Sequence, residues 1–171
     1  MKKESVIKSE RKQQAIEIAT RLKKCSPHIL MKYPVDIAYL HGSVARGQPL
    51  PTSDIDIALV LSEKPSPYER LQLELEIQAE LEDVCGLSNL DVRTINDAPI
   101  MAQGPIVQQG ILLYNRDKAQ RVAFEVLIRS KYFDFQPVAK RLQQAFFKRI
   151  REEGFTRGQR EHYRHHPKQS E

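Results

Sequence analysis

The segment Asp54-Ile55-Asp56-Ile57-Ala58-Leu59-Val60-Leu61 restricts the fold of this chain more than any other. Its second half is continuously apolar, which marks a strand buried on both faces in the middle of a sheet. Its first half carries two acids two residues apart, so on a strand both side chains point the same way. An acid-x-acid pair ordinarily marks the wet face of an edge strand, but the apolar run that follows speaks for a central one. Acids at the entrance of a buried strand cost stability unless they are paired or hold a metal. Oxygen-rich sites select magnesium or manganese, and paired metals catalyse in-line displacement at phosphorus.

The rest of the chain supplies partners for that strand. Residues 4–24 read as a polar helix with a thin apolar stripe, broken at Ser26-Pro27. Val35 to Leu40 reads as a largely buried strand between Pro34 and Gly42. Gly42 to Gly47 is a turn opening a short helix, and Gln48 to Ser53, with Pro49 and Pro51, is a loop. Residues 67–84 alternate apolar and polar as a strand would, yet consist of Leu, Glu, Gln and Ala, which favour helix. Ser66 before Pro67 is a helix start, so a helix buried on two sides is expected. Asn89 to Ile95 is a strand interrupted by Asp91 and Arg93. Pro99 to Gln109 is helical and disturbed by Gly104-Pro105. Ile111 to Tyr114 is a short strand. Residues 117–152 are helical with a break at Asp134 and Pro137, and from Gly154 the chain is polar and basic.

At 171 residues, with 40% hydrophobic and 29% charged, the composition is that of a soluble globular chain with one compact core. Three segments are expected: 1–116 as the main domain with its N-terminal helix, 117–153 as C-terminal helices packing on it, and 154–171 as a basic mobile tail. The net charge of +5 is concentrated at the ends. Residues 1–24 carry eight Lys/Arg against three Glu, and residues 148–171 carry seven against four. Basic ends can contact nucleic acid, but a solvated helix face and a frayed tail are the simpler reading. Cys25 and Cys85 lack any metal-ligand spacing and read as two idle thiols in a reducing cytoplasm. No apolar leader follows Met1, and no apolar run is long enough to cross a membrane. A cytoplasmic location is expected.

The chemistry-bearing residues lie in order along two strands and a turn. Gly42-Ser43 sits between a strand and a helix start, where glycine allows close backbone approach to a ligand and the helix start suits phosphate. Ser43 adds a hydroxyl donor, and Arg46, one turn on, a cation. Ten residues then separate Ser43 from Asp54. Asp91 interrupts a later strand and reaches Asp54 and Asp56 if the two strands are neighbours. Each feature alone is ordinary: a turn, a wet strand face, a surface acid, a solvated arginine. Their order and spacing together favour a metal-assisted phosphoryl site.

This constellation resembles the nucleotidyltransferase superfamily of the DNA polymerase beta type, and within it the minimal nucleotidyltransferase (MNT) group. That group's signature is Gly-Ser, ten residues, then Asp-x-Asp; here it is met by Gly42, Ser43, Asp54 and Asp56, with Ala45-Arg46-Gly47 also as expected. The likeness covers the stretch from about Val35 to Tyr114. His41 stands where many relatives carry Phe, and Val44 where Arg or Ser is common. The resemblance implies an α/β (α+β) nucleotidyltransferase fold: a small mixed β-sheet flanked by helices, with a C-terminal helical extension. It also implies roles. Gly42 and Ser43, with Arg46, would hold the triphosphate of ATP, and Asp54, Asp56 and Asp91 would bind two Mg2+ ions. Asp91 would also help an acceptor hydroxyl lose its proton as it attacks the α-phosphorus and pyrophosphate leaves. His41 reads as a packed histidine rather than a base.

Many members of the MNT group resemble MntA-like antitoxins encoded beside a HEPN-domain ribonuclease toxin, to one of whose tyrosines they add AMP. The expected function is therefore a protein adenylyltransferase with a HEPN-type toxin as partner in a hetero-oligomer. Phe133, Phe135, Phe146 and Phe147 would then supply a partner surface or, equally, core packing. The alternatives are a transferase acting on a small molecule such as an aminoglycoside or on RNA, and an antitoxin that works by occlusion alone. Three retained acids speak against the last.

Overall fold

The computed structural model describes residues 2–154. In chain order these form α1 (Lys2–Leu30), β1 (Val35–Leu40), α2 (Gly42–Ala45), β2 (Ile55–Leu61), α3 (Pro67–Cys85), β3 (Leu90–Thr94), α4 (Ile100–Gln109), β4 (Ile111–Asn115) and α5 (Lys118–Glu153). The strands make a sheet in the order β3-β2-β1-β4. β1 runs antiparallel to β2 and β4, whereas β2 and β3 are parallel. A parallel pair needs a long crossover, which α3 provides. The sheet is mixed and flanked by helices, as the resemblance implies.

β2 is an inner strand, buried on both faces. Ile55, Ile57, Leu59 and Leu61 pack with Leu22, Ile29 and Leu30 of α1 and Ile77 and Leu81 of α3. On the other face, Ala58 and Val60 join Ile37, Tyr39, Ile95 and Ile106, with Phe124 of α5 against them. Asp56 belongs to this second face by strand alternation. The apolar run of β2 therefore serves two cores, and its acids lie where one of them ends.

Several expectations are corrected. α1 does not stop at Ser26-Pro27 but runs through to Leu30. A proline inside a helix forfeits a hydrogen bond and crowds the preceding turn. Burial of Ile29 and Leu30 offsets this, each such side chain contributing about 1.5–3 kcal/mol. α3 is a helix, opened by a capping box in which Ser66 N donates to Glu69 Oε2 at 2.8 Å and Glu69 N to Ser66 Oγ at 3.4 Å. It buries one side, not two: Glu74, Ile77, Leu81 and Cys85 form the inner row, while Leu71, Leu75 and Val84 are exposed. One helical layer covers this face of the sheet, so the second apolar row finds nothing to pack against. α4 continues through Gly104-Pro105. Gly104 is where the ring of Tyr132 seats, since a β-carbon there would collide with it.

The cysteines are not idle thiols. α1 and α3 lie against the same face of the sheet, and Cys25 and Cys85 form a disulfide between them with Cα atoms 5.7 Å apart. α5 is likewise unbroken, with Asp134 and Pro137 inside it. Strong helix formers on either side, from Lys140 to Gln144 above all, carry it past the proline.

Two compact units are distinguished, Met1–Tyr132 and Phe133–Glu171. The first holds the sheet and everything described above except the far part of α5. In the second, Phe133, Phe135, Leu142, Phe146 and Phe147 are exposed, so core packing does not account for these phenylalanines. The rings of Phe146 and Phe147 are 5.9 Å apart. The expected basic tail, 154–171, lies outside the described residues from 155 onward. Among the described residues no helix is long and apolar enough to cross a membrane.

Candidate active site

β1 ends at Leu40 and the chain turns at once into α2, so His41 and Gly42 lie beside the start of β2. His41 N donates to Asp56 O at 2.9 Å, which fixes the turn against β2. Gly42 has φ +70°, a left-handed conformation that disfavours a side chain. A β-carbon on it would overlap Asp56 Oδ2 and stand 2.8 Å from Asp56 Cγ. Glycine at this position thus serves two needs: the turn itself and room for a carboxylate pressed against the backbone. Ser43 follows, half-buried, and Gln48 N donates to its carbonyl at 3.0 Å, closing the loop that returns the chain toward β2.

The parallel pairing of β2 with β3 sets Asp56 directly opposite Asp91. Opposed residues on paired strands point to the same face, so these carboxylates are lateral neighbours. Asp54 precedes β2 by one residue and is exposed. The shift of Asp56 records the company it keeps. Burial holds its carboxyl above the usual range, the charges of Asp91 and Asp54 push the same way, and His41 and Arg46 oppose them. Burial likewise depresses the His41 imidazole, against the pull of Asp56 and Asp91. His41 is half-buried and lines the cavity beside Asp56. Arg46 caps α2, is exposed, and acts electrostatically on both His41 and Asp56. A cavity of about 80 Å³ opens here, lined by His41, Gly42, Ala45, Arg46, Pro105, Ile106, Gln109 and Gly110.

All six sequence-derived residues therefore fall in one neighbourhood: Gly42, Ser43 and Arg46 on the turn and α2, Asp54 and Asp56 at the entrance of β2, and Asp91 on β3. Two further residues belong with them and were missed. Arg93 Nε donates to Asp91 Oδ1 at 2.8 Å, and Arg93 Nη1 lies 3.6 Å from Glu74 Oε2. Arg93 was legible in principle, because it shares a strand face with Asp91 two residues away. Glu74 was not, because it sits among alternating Leu and Glu with nothing to single it out.

The donor set suits a divalent cation. It is all carboxylate oxygen, the ligand chemistry of magnesium, and burial together with the charges of Asp91 and Asp54 disfavours a bare carboxylate at Asp56. Among the described residues, no three or more acid, histidine or cysteine side chains converge on one point. Magnesium does not require such a cage, since it commonly takes one or two carboxylates and completes its shell with water and substrate phosphates.

With this geometry in place, comparison with known proteins identifies the class. The sequence profile of the family described as polymerase beta, nucleotidyltransferase matches residues 23–119. The chain belongs to that family of nucleotidyltransferases. Comparison with curated protein sequences found no match. Among solved structures, a chain of a mutant of the toxin–antitoxin MntA–HpeT aligns with TM-score 0.57 at 20% identity, covering 70% of this chain and 94% of that one. A chain of a toxin–antitoxin complex with AMP-PNP gives 0.54 at 21% identity, covering 72% and 94%. A chain of the tri-AMPylated Shewanella oneidensis HEPN toxin in complex with MNT antitoxin gives 0.50 at 17% identity, covering 84% and 98%. At these identities the likeness is one of fold.

Proposed function

We propose that this chain is a magnesium-dependent protein adenylyltransferase, an antitoxin that moves AMP from ATP to a tyrosine hydroxyl of a cognate HEPN ribonuclease toxin. The observation that carries the reading is the seating of Asp56 against the Gly42 backbone with Asp91 beside it. Gly42 and Ser43 present backbone and hydroxyl donors to the triphosphate, and Arg46 adds positive charge on the same side. Asp54, Asp56 and Asp91 would hold the metal, which when bound neutralises phosphate charge and makes the acceptor hydroxyl more acidic. Asp91 would also accept the acceptor's proton. The acceptor oxygen then bonds to the α-phosphorus while the bond from that phosphorus to the β-phosphate oxygen breaks, and pyrophosphate leaves.

Support for a nucleotide substrate and a protein acceptor comes from what the structural neighbours contain: AMP-PNP in one, a tri-AMPylated HEPN toxin in another. Exposed Phe135, Phe146 and Phe147 supply a surface for such a partner. The test is intact-mass measurement of both proteins after incubation of this chain with ATP, Mg2+ and the product of a neighbouring HEPN gene. AMP-sized additions on the partner, absent with Asp54→Asn, support the reading. A tight complex without any addition assigns inhibition to occlusion instead, and no addition or complex points to a small-molecule or RNA acceptor.

A further inference from the structure

We infer that Arg93 is a built-in counter-cation that holds Asp91 until a divalent cation arrives, and then passes to Glu74. This rests on the metal assignment above. Asp91 and Arg93 point to the same face of β3, the edge strand of the sheet. The guanidinium stands between two carboxylates, at 2.8 Å from Asp91 Oδ1 and 3.6 Å from Glu74 Oε2. Among the described residues no other cation lies within ion-pair distance of either acid.

The two acids differ in a way that gives the arrangement a direction. Glu74 is buried, and its Oε1 is already committed, accepting from Thr94 N at 2.8 Å. It is fixed, and its remaining oxygen faces Arg93 across a gap longer than a direct hydrogen bond. Asp91 is partly exposed, with a side-chain exposure of 41%, on the face shared with Asp56. A divalent cation reaching Asp91 repels the guanidinium at close range. Arg93, 61% exposed on an edge strand, is free to turn. The forked guanidinium needs only a short movement to exchange its bond to Asp91 for a closer one to Glu74. Glu74 thereby gains a full partner at the moment Asp91 acquires the metal, and neither carboxylate is left without a counter-charge. Arg93 is thus a positioning residue, and Glu74 its second seat.

The experiment is titration of the full chain with Mn2+ alone, followed by electron paramagnetic resonance. Arg93→Met removes the internal competitor and is expected to tighten Mn2+ binding about threefold or more, the scale of an exposed ion pair. Arg93→Lys, which keeps the charge, is expected to bind as the wild type does. Glu74→Gln keeps the acceptor for Thr94 N but weakens the second seat, so it is expected to loosen Mn2+ binding by a comparable factor. The double variant Arg93→Met with Glu74→Gln leaves no unpaired buried charge and is expected to match Arg93→Met. Binding by Arg93→Met that is no tighter than wild type, by Glu74→Gln that is no weaker, or by the double variant that falls back to the wild-type value, as simple addition of charges would give, overturns the exchange. A wild type that binds no Mn2+ overturns the metal assignment itself and the exchange with it, so the two failures read differently.

Discussion

Gly42 and Asp56 occupy space that only a glycine leaves open: a β-carbon at residue 42 would lie 2.8 Å from the Asp56 carboxyl carbon. Gly42→Ala is therefore expected to abolish transfer and to lower stability by about 1–2 kcal/mol from the left-handed backbone alone. Denaturant unfolding of Gly42→Ala, Asp56→Ala and the double variant separates the two causes. Shortening Asp56 relieves the collision, so Gly42→Ala should cost less in that background, with a coupling of at least about 0.5 kcal/mol. Strict additivity would mean that the two residues do not meet.

The raised pKa of Asp56 makes it a stability cost in the metal-free protein. Burial foremost, with the charges of Asp91 and Asp54, keeps its proton on to higher pH in the folded state than in the unfolded. Between the ordinary carboxylate value, about 4, and that raised value the folded state binds more protons, so stability falls as pH rises through the window. Asp56→Asn removes the charge. It is expected to melt above wild type at neutral pH without metal, with the gap closing in acid below about pH 4. Excess Mg2+ should then raise the melting temperature of wild type and not that of the variant. A variant that melts lower at every pH would contradict this.

The Cys25–Cys85 disulfide closes a loop of 60 residues that contains β1, α2, β2 and α3. By the chain-entropy account such a loop contributes about 4 kcal/mol to stability. Reductant should lower the unfolding midpoint of the oxidised protein accordingly and leave that of Cys85→Ser unchanged. An equal response of both proteins would remove the disulfide from the account.

How much could be read beforehand depended on how local the signal was. Gly42, Ser43, Asp54 and Asp56 lie within one turn and the entrance of one strand, so their order and spacing are visible in a single local stretch. Asp91 needed only the assumption that its strand lay beside β2, which the Asp56–Asp91 register bears out. What escaped was set by packing between distant segments. Pro27 reads as a helix end because the burial of Ile29 and Leu30 is invisible in sequence. Pro137 misleads because a proline reads as a break even where the residues that follow it, Lys140 to Gln144, strongly favour helix. The Cys25–Cys85 bond depends on α1 and α3 sharing a sheet face, and the tie from Glu74 to Arg93 on α3 crossing behind β3.

The central claim is that the α-phosphorus of a nucleoside triphosphate is the reacting centre. It is tested most directly by supplying Mg2+ and the HEPN partner with ATP labelled at either the α- or the γ-phosphate. The account predicts label on the partner from the α-position only, release of pyrophosphate, and loss of both with Asp56→Asn. Label arriving from the γ-position, or transfer undiminished in Asp56→Asn, would contradict it.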